Sequence, residues 1–145
     1  MVDYKDTNPK DAVGIAKVPM SVLPTQVILE LGLGMFEGDR KYGRSNYRVA
    51  GVRGSVYYDA TMRHLMGWWE GQDIDPDSGL NHITKAITSL LVLRDAMMNG
   101  LWNDDRPPKV DPEFISRYNA KAKDIIAKYP NPVKPFTELN KKDKR

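Results

Sequence analysis

Four carboxylates, Glu70, Asp73, Asp75 and Asp77, fall within the segment EGQDIDPDSGLNH (residues 70–82), and no lysine or arginine lies among them. Like charges this close are unfavourable unless a cation compensates them, and a divalent ion is the natural candidate. The plainer alternative is a solvated acidic loop. A second pair of acids, Glu30 and Glu37, is seven residues apart in a helical pattern. The two project from nearly the same face, about 10 Å apart along the axis. One ion cannot easily touch both, whereas two neighbouring ions can. Equally, Glu37 stands four residues before Lys41, the spacing of a helical ion pair worth roughly 0.2–0.5 kcal/mol.

Between these acidic features runs a basic stretch containing Arg40, Lys41, Arg44, Arg48 and Arg53. Cations beside a bound metal suit a polyphosphate, because they neutralise oxygens that the metal does not reach; a solubilising loop is the bland reading. Oxygen-only donors favour Mg²⁺ or Mn²⁺ over zinc. The chemistry such a site supports is phosphoanhydride hydrolysis by an activated water, with arginine and lysine stabilising charge on the transferring group. The chain contains no cysteine, no GxxxxGK[ST] and no GxGxxG, which excludes thiolate chemistry and argues against P-loop kinases and dinucleotide enzymes.

The elements that must position these residues read as helices. A first long helix is expected from Thr25 or Gln26 to Tyr42, stopped by Gly43, with Val27, Leu31, Met35 and Phe36 on its apolar face. Gly32 and Gly34 inside it each cost about 1 kcal/mol relative to alanine, which points to close approach by another helix or a ligand. A second helix is expected from a Ser55 cap to Gly71, with Tyr58, Met62, Leu65 and Trp69 recurring at helical spacing. His64 reads as a hydrogen-bonded structural histidine, and Trp68 and Trp69 as core. A third runs from about Gly79 to Asn99, capped by Asp77 or Ser78, with Asp75 left solvated. His82 and Lys85 lie near its start, where free N–H groups favour an anion. A fourth starts with Asp111 as cap and Pro112 at the first position and ends before Pro130. No strand pattern competes. The fold class is therefore all-α, an antiparallel bundle of about four helices. Residues 1–24 form an extended arm anchored by Val18, Met20 and Leu23, and residues 131–145 a charged peripheral tail.

With 145 residues and a net charge of +3, the chain is expected to be a single domain. It has no basic stripe with interleaved aromatics, so direct nucleic-acid binding is not expected. No apolar run approaches the ~20 residues needed to span a bilayer, and the N-terminus lacks the apolar core of a signal peptide. The expectation is a soluble, cytoplasmic protein.

The segments NPKDAVGIAKVPMSVLP, LELGLGMFEGDRKYGRSNYRVAGVRGSVYYDATMRHLMGWWEGQDIDPDSGLNHITKAI and SLLVLRDAM resemble the dATP/dGTP diphosphohydrolase family of bacteriophages. That family is related to the MazG-type all-α nucleotide pyrophosphohydrolases. The resemblance covers Asn8 to about Pro108. It implies cleavage of a purine deoxynucleoside triphosphate, dGTP or dATP, between the α and β phosphates, in the host cytoplasm. In phages that replace adenine with 2-aminoadenine, the dGMP so formed feeds the synthesis of the modified nucleotide. It also implies two or three Mg²⁺ or Mn²⁺ ions held by an ExxE and an ExxD on adjacent helices, and a homo-oligomer, dimer or tetramer. Glu70 and Asp73 match the ExxD. The first motif departs from the pattern, since Arg40 stands three residues after Glu37 and the helical partner of Glu37 is Glu30. Asp77 is a further ligand or a helix cap. Lys41, Arg63 and Lys85 are assigned to phosphate, and Asn46 to positioning the substrate. Two other readings remain open: an HD-like phosphohydrolase using His64, His82 and aspartates, and a non-catalytic helical interaction module.

Overall fold

The computed structural model describes residues 8–141. Asn8 opens helix α1 (Pro9–Gly14) by accepting the Lys10 N–H at 3.0 Å, with proline pre-set in the first turn. A 3₁₀ turn follows at Met20–Val22. Much of the expected extended arm is thus wound into short turns, and residues 1–7 of it lie outside the described residues. Val18, Met20 and Leu23 are exposed rather than anchored. Helix α2 (Thr25–Tyr42) has the expected bounds and ends at Gly43, whose φ of 92° an L side chain would resist.

Helix α3 (Tyr47–Ala50) and strand β1 (Val52–Arg53) lead into α4 (Gly54–Trp69), and α5 (His82–Met98) precedes strand β2 (Trp102–Asn103). The two-residue strands pair in parallel, Val52 opposite Trp102 and Arg53 opposite Asn103, where no strand is expected from the pattern. Gly51 permits this join: its φ is 73°, and a Cβ there would lie 2.6 Å from the Leu101 carbonyl oxygen. Ser55 is not the cap of α4. It sits inside the first turn, and Asp105 supplies the capping carboxylate instead, accepting the Ser55 N–H at 2.8 Å and the Ser55 hydroxyl.

Helix α5 is the central element, packed on one side by α4 and on another by α2. The packed surfaces are mostly small residues: Gly34 of α2, Gly54 and Thr61 of α4, and Thr84, Ala86, Thr88 and Ala96 of α5 are buried, with His82 of α5 the larger exception. Small side chains let helix backbones approach closely, so the large apolar residues are left outside the contact. Tyr58, Met62, Leu65, Trp68 and Trp69 are all exposed, Trp69 by 76%. The inward face of α4 is instead the one carrying Thr61 and the half-buried Tyr57 and His64. Among the described residues the expected bundle is therefore a three-helix packing of α2, α4 and α5.

The chain divides into two compact units after Arg106, where length alone suggests one domain. The second unit holds helix α6 (Phe114–Lys128), none of whose residues is buried. Asp111 receives the Glu113 N–H at 2.9 Å, so the helix starts two residues later than a Pro112 start implies. Beyond it, the Asn140 side chain closes a turn by accepting the Thr137 N–H at 2.6 Å. No helix among the described residues is long and apolar enough to cross a membrane.

Of the two unusual glycines in α2, only Gly34 meets the neighbouring helix. A Cβ on Gly34 would sit 2.7 Å from Thr88 Cγ2, while nothing lies within 4 Å of the corresponding point on Gly32. Thr88 is β-branched and stiff. Gly34→Ala should therefore lose about 1–3 kcal/mol to overpacking, against a helix-propensity gain of about 1 kcal/mol. The expected result in urea denaturation is net destabilisation that turns neutral or favourable in a Thr88→Ser background, which removes the methyl and keeps the hydroxyl.

Candidate active site

The acidic segment between α4 and α5 is an ordered turn rather than a solvated loop. Asp75 is its centre, only 8% exposed. Its carboxylate accepts the Ser78 hydroxyl at 2.7 Å and the N–H groups of Asp77 and Ser78 at 3.3 Å. The Asp75 N–H donates to Leu80 O and the Asp75 carbonyl accepts from Gly79, both at 2.8 Å. Burial pushes the Asp75 carboxyl up, but the Ser78 hydroxyl and these two amides outweigh it and hold the group below its ordinary range. Asp75 is thus a structural acid, not a solvated one. Neither Asp77 nor Ser78 caps α5; Asn81 does, accepting the Ile83 N–H at 2.8 Å.

One charged cluster joins this turn to α2 and α5. Lys41 contacts Glu37 at 2.7 Å, the expected i,i+4 pair, and reaches across to Asp77 at 3.2 Å. Lys85 approaches the other oxygen of Glu37 at 3.3 Å. Burial alone would raise the Glu37 pKa, yet the two ammonium groups prevail and lower it. The Lys41 ammonium is in turn held protonated well above its ordinary range, by hydrogen bonds to Glu37 and then Asp77.

Beside the cluster lies a cleft of about 600 Å³ between α2, the loop after it, α4 and α5, within the size range of small-ligand pockets. Lys85 lies on its wall with Asn46 and Arg44, and Gly32 and Gly38 leave backbone open to it. Arg44 is an exposed guanidinium that forms no ion pair among the described residues.

Residues 7–106 match the family described as dATP/dGTP diphosphohydrolase, N-terminal. The chain belongs to that family. The match stops at the residue where the first compact unit ends. A protein of Salmonella phage PMBT28 named "dATP/dGTP diphosphohydrolase" is 29% identical over 90 residues, covering 62% of this chain. The chain spans only 30% of that relative's length. No solved structure matches it.

Within residues 7–106 the expected site residues separate into two sets. Glu37, Lys41, Lys85 and Asp77 come together in the ion-pair cluster, and Asn46 joins Lys85 at the cleft. Glu30 instead accepts a hydrogen bond from the buried Thr84 hydroxyl. Glu70 closes the end of α4, and Glu70, Asp73 and Arg63 are exposed and take no part in the ion pairs. Asp73 contributes its carbonyl, which accepts the His82 N–H at 2.9 Å. Of the basic stretch, Arg48 is withdrawn from any ligand by a two-pronged pair with Asp95 at 2.8 and 2.9 Å. Among the described residues no three acidic or histidine side chains converge as a metal site. Glu37 and Asp77 share the Lys41 ammonium, and Glu37 also pairs with Lys85.

The histidines are structural, as expected of His64. Nδ1 of His64 and Nδ1 of His82 are 2.8 Å apart, and His82 Nε2 is 2.7 Å from Gln72 Oε1. Because Gln72 Oε1 only accepts, His82 donates through Nε2 and accepts through Nδ1, leaving His64 Nδ1–H as donor. Burial lowers the His64 pKa and keeps that ring neutral. Gly67 makes the room, since a Cβ there would lie 3.2 Å from His82 Nε2. Residue spacing reveals neither Gln72 nor the cleft residue Asp39; only the Pro76–Gly79 turn signal hints that the acidic segment is ordered.

The carboxyls of Asp75 and Glu37 bind protons less readily in the fold than in the unfolded chain, from ordinary values of 3.8 and 4.5. Their stabilisation is complete above those values and lost as pH falls through them to the lower folded ones. Asp75→Asn should therefore flatten the fall in unfolding free energy between about pH 6 and about pH 3, measured by denaturant titration. An unchanged acid limb would remove Asp75 from this role.

Proposed function

We propose that this unit binds a purine deoxynucleoside triphosphate, dGTP or dATP, in the α2–α5 cleft and hydrolyses it to the monophosphate and pyrophosphate, with Mg²⁺ or Mn²⁺. The observation that carries this reading is Lys85, which lines a nucleotide-sized cleft and pairs with the Glu37–Lys41–Asp77 cluster, in a chain of this family. The Salmonella phage relative bears the name of that activity. dGMP made in this way would supply phage 2-aminoadenine nucleotide synthesis.

The chain's own residues divide the work by charge. Lys85 and Arg44 neutralise phosphate oxygens at the cleft, and Asn46 orients the substrate through its amide. Glu37 and Asp77 would hold a divalent ion in the cluster they share with Lys41, and Glu70, Asp73 and Glu30, which stand apart from that cluster, are the further oxygen donors that the family resemblance implies. Such an ion supplies counter-charge at the phosphoanhydride and activates the attacking water. Lys41, freed from its two carboxylates, becomes another cation for the phosphates, and Arg63 serves the same end from α4. A homo-oligomer is part of the proposal, since the exposed Tyr58, Met62, Leu65 and Trp69 offer one continuous apolar stripe for a second copy. The HD-like reading gains no support, because both ring nitrogens of His82 are already engaged.

Incubation of the purified protein with each dNTP and Mn²⁺, followed by product separation, tests the reaction. Pyrophosphate with dNMP is expected; triphosphate or inorganic phosphate would indicate HD-type chemistry, and no turnover a non-catalytic module. Lys85→Met should cost on the order of 10²-fold in kcat with the helical circular dichroism unchanged. Glu70→Gln and Asp73→Asn should each remove most activity, and full activity in both would take them out of the site. Light scattering after size exclusion reads the oligomeric state.

A further inference from the structure

We propose that Asp39 reads the base, accepting hydrogen bonds from the N1–H and 2-amino group of guanine, so that the cleft selects guanine over adenine nucleotides. This rests on the nucleotide-hydrolase reading above and deepens it.

Asp39 is the one carboxylate lining the cleft. It is half-buried, and its side chain accepts no hydrogen bond among the described residues, although its carbonyl accepts the Gly43 N–H at 2.8 Å. The other acids around α2 and α5 differ: Glu37, Asp77 and Asp95 are ion-paired, Asp75 is bonded to Ser78, and Glu30 to Thr84. A half-buried carboxylate with no protein donor among the described residues is open to a ligand's N–H groups.

On α2, Asp39 lies on a different face from Glu37 and its ion pairs. It follows Glu37 by two residues, a rise of about 3 Å, and residues two apart on a helix do not share a face. Glu37 therefore turns to Lys41 and Lys85 while Asp39 turns to the cleft. A triphosphate is repelled by Asp39 and drawn to Lys85 and Arg44, which leaves the base as the part of the substrate that meets the carboxylate. Tyr42, Tyr47 and Tyr57, which line the same cleft, offer ring surface to a purine.

The two edges of a purine answer a carboxylate differently. Guanine presents two adjacent donors, which match two carboxylate oxygens. Adenine presents one donor and one lone pair at N1, and that lone pair opposes the carboxylate. An asparagine in place of Asp39 offers one acceptor and one donor, which suits adenine at least as well.

The test compares dGTP, dATP and dITP, which keeps N1–H and lacks the 2-amino group, on the wild-type chain and on Asp39→Asn, by turnover with Mn²⁺ and in parallel by titration calorimetry. The wild type should prefer dGTP over dATP, with dITP between them. Asp39→Asn should lower the dGTP-to-dATP ratio of kcat/KM by at least about tenfold, as expected for a charge-assisted hydrogen bond, while dATP turnover persists and reports an intact fold. An unchanged ratio, or an equal loss on both purines, would overturn the assignment, as would wild-type dITP handled like dGTP. If the chain binds guanine nucleotides selectively through Asp39 without turnover, the base assignment stands and the hydrolase reading fails. Binding of neither purine would sink both.

Discussion

The contact on which the rest of the structure depends is the close approach of α2 to α5 at Gly34 and Thr88. No side chain larger than hydrogen is accommodated there without displacing the Thr88 methyl. That approach places Glu37 against Lys85 and Glu30 against Thr84, and Gly34 and Thr88 themselves line the cleft. A helix glycine is locally unfavourable, so the chain carries a backbone cost here and recovers it as proximity. Without such proximity the lysines and carboxylates would be separate surface charges, each worth little in water.

Much of this was legible from residue types alone. The bounds of α2 follow from Pro24 and Gly43, the Glu37–Lys41 pair from its spacing, and the close helix approach from the cost of Gly34. The inward face of α4 was not legible, because periodicity marks large apolar residues, whereas Thr61 and the half-buried Tyr57 and His64 face inward. Local capping signals misled for a related reason. Ser55, Asp77 and Ser78 are good caps by type, but the cap of α4 comes from Asp105, fifty positions downstream, and Asp77 is drawn off by Lys41. The candidate site was half legible: Lys85 and Asn46 share the cleft and Glu37 meets Asp77 through Lys41, while Glu30, Glu70, Asp73 and Arg63 stand apart from that cluster.

The acidic turn gives each of its aspartates a different neighbour. Asp75 is satisfied by a hydroxyl and two amides, Asp77 by an ammonium, and Asp73 is left to water. Three neighbouring carboxylates thus have three different environments, and only one of them is tied to the adjoining helix α2. Net charge in this segment says little about function; the partner of each acid says more.

Asp105 has a consequence for how the unit comes together. By binding Ser55 it joins the first turn of α4 to the chain after α5, and the paired strands beside it run in parallel. Helix, turn and helix are thereby closed into a ring of backbone latched at its two ends by the strand pair and by Asp105. Closing such a ring becomes cheap only after the α4–α5 hairpin has formed and brought its ends together. The latch is therefore expected to close late in folding, with the first turn of α4 and residues 101–105 opening together as one clasp.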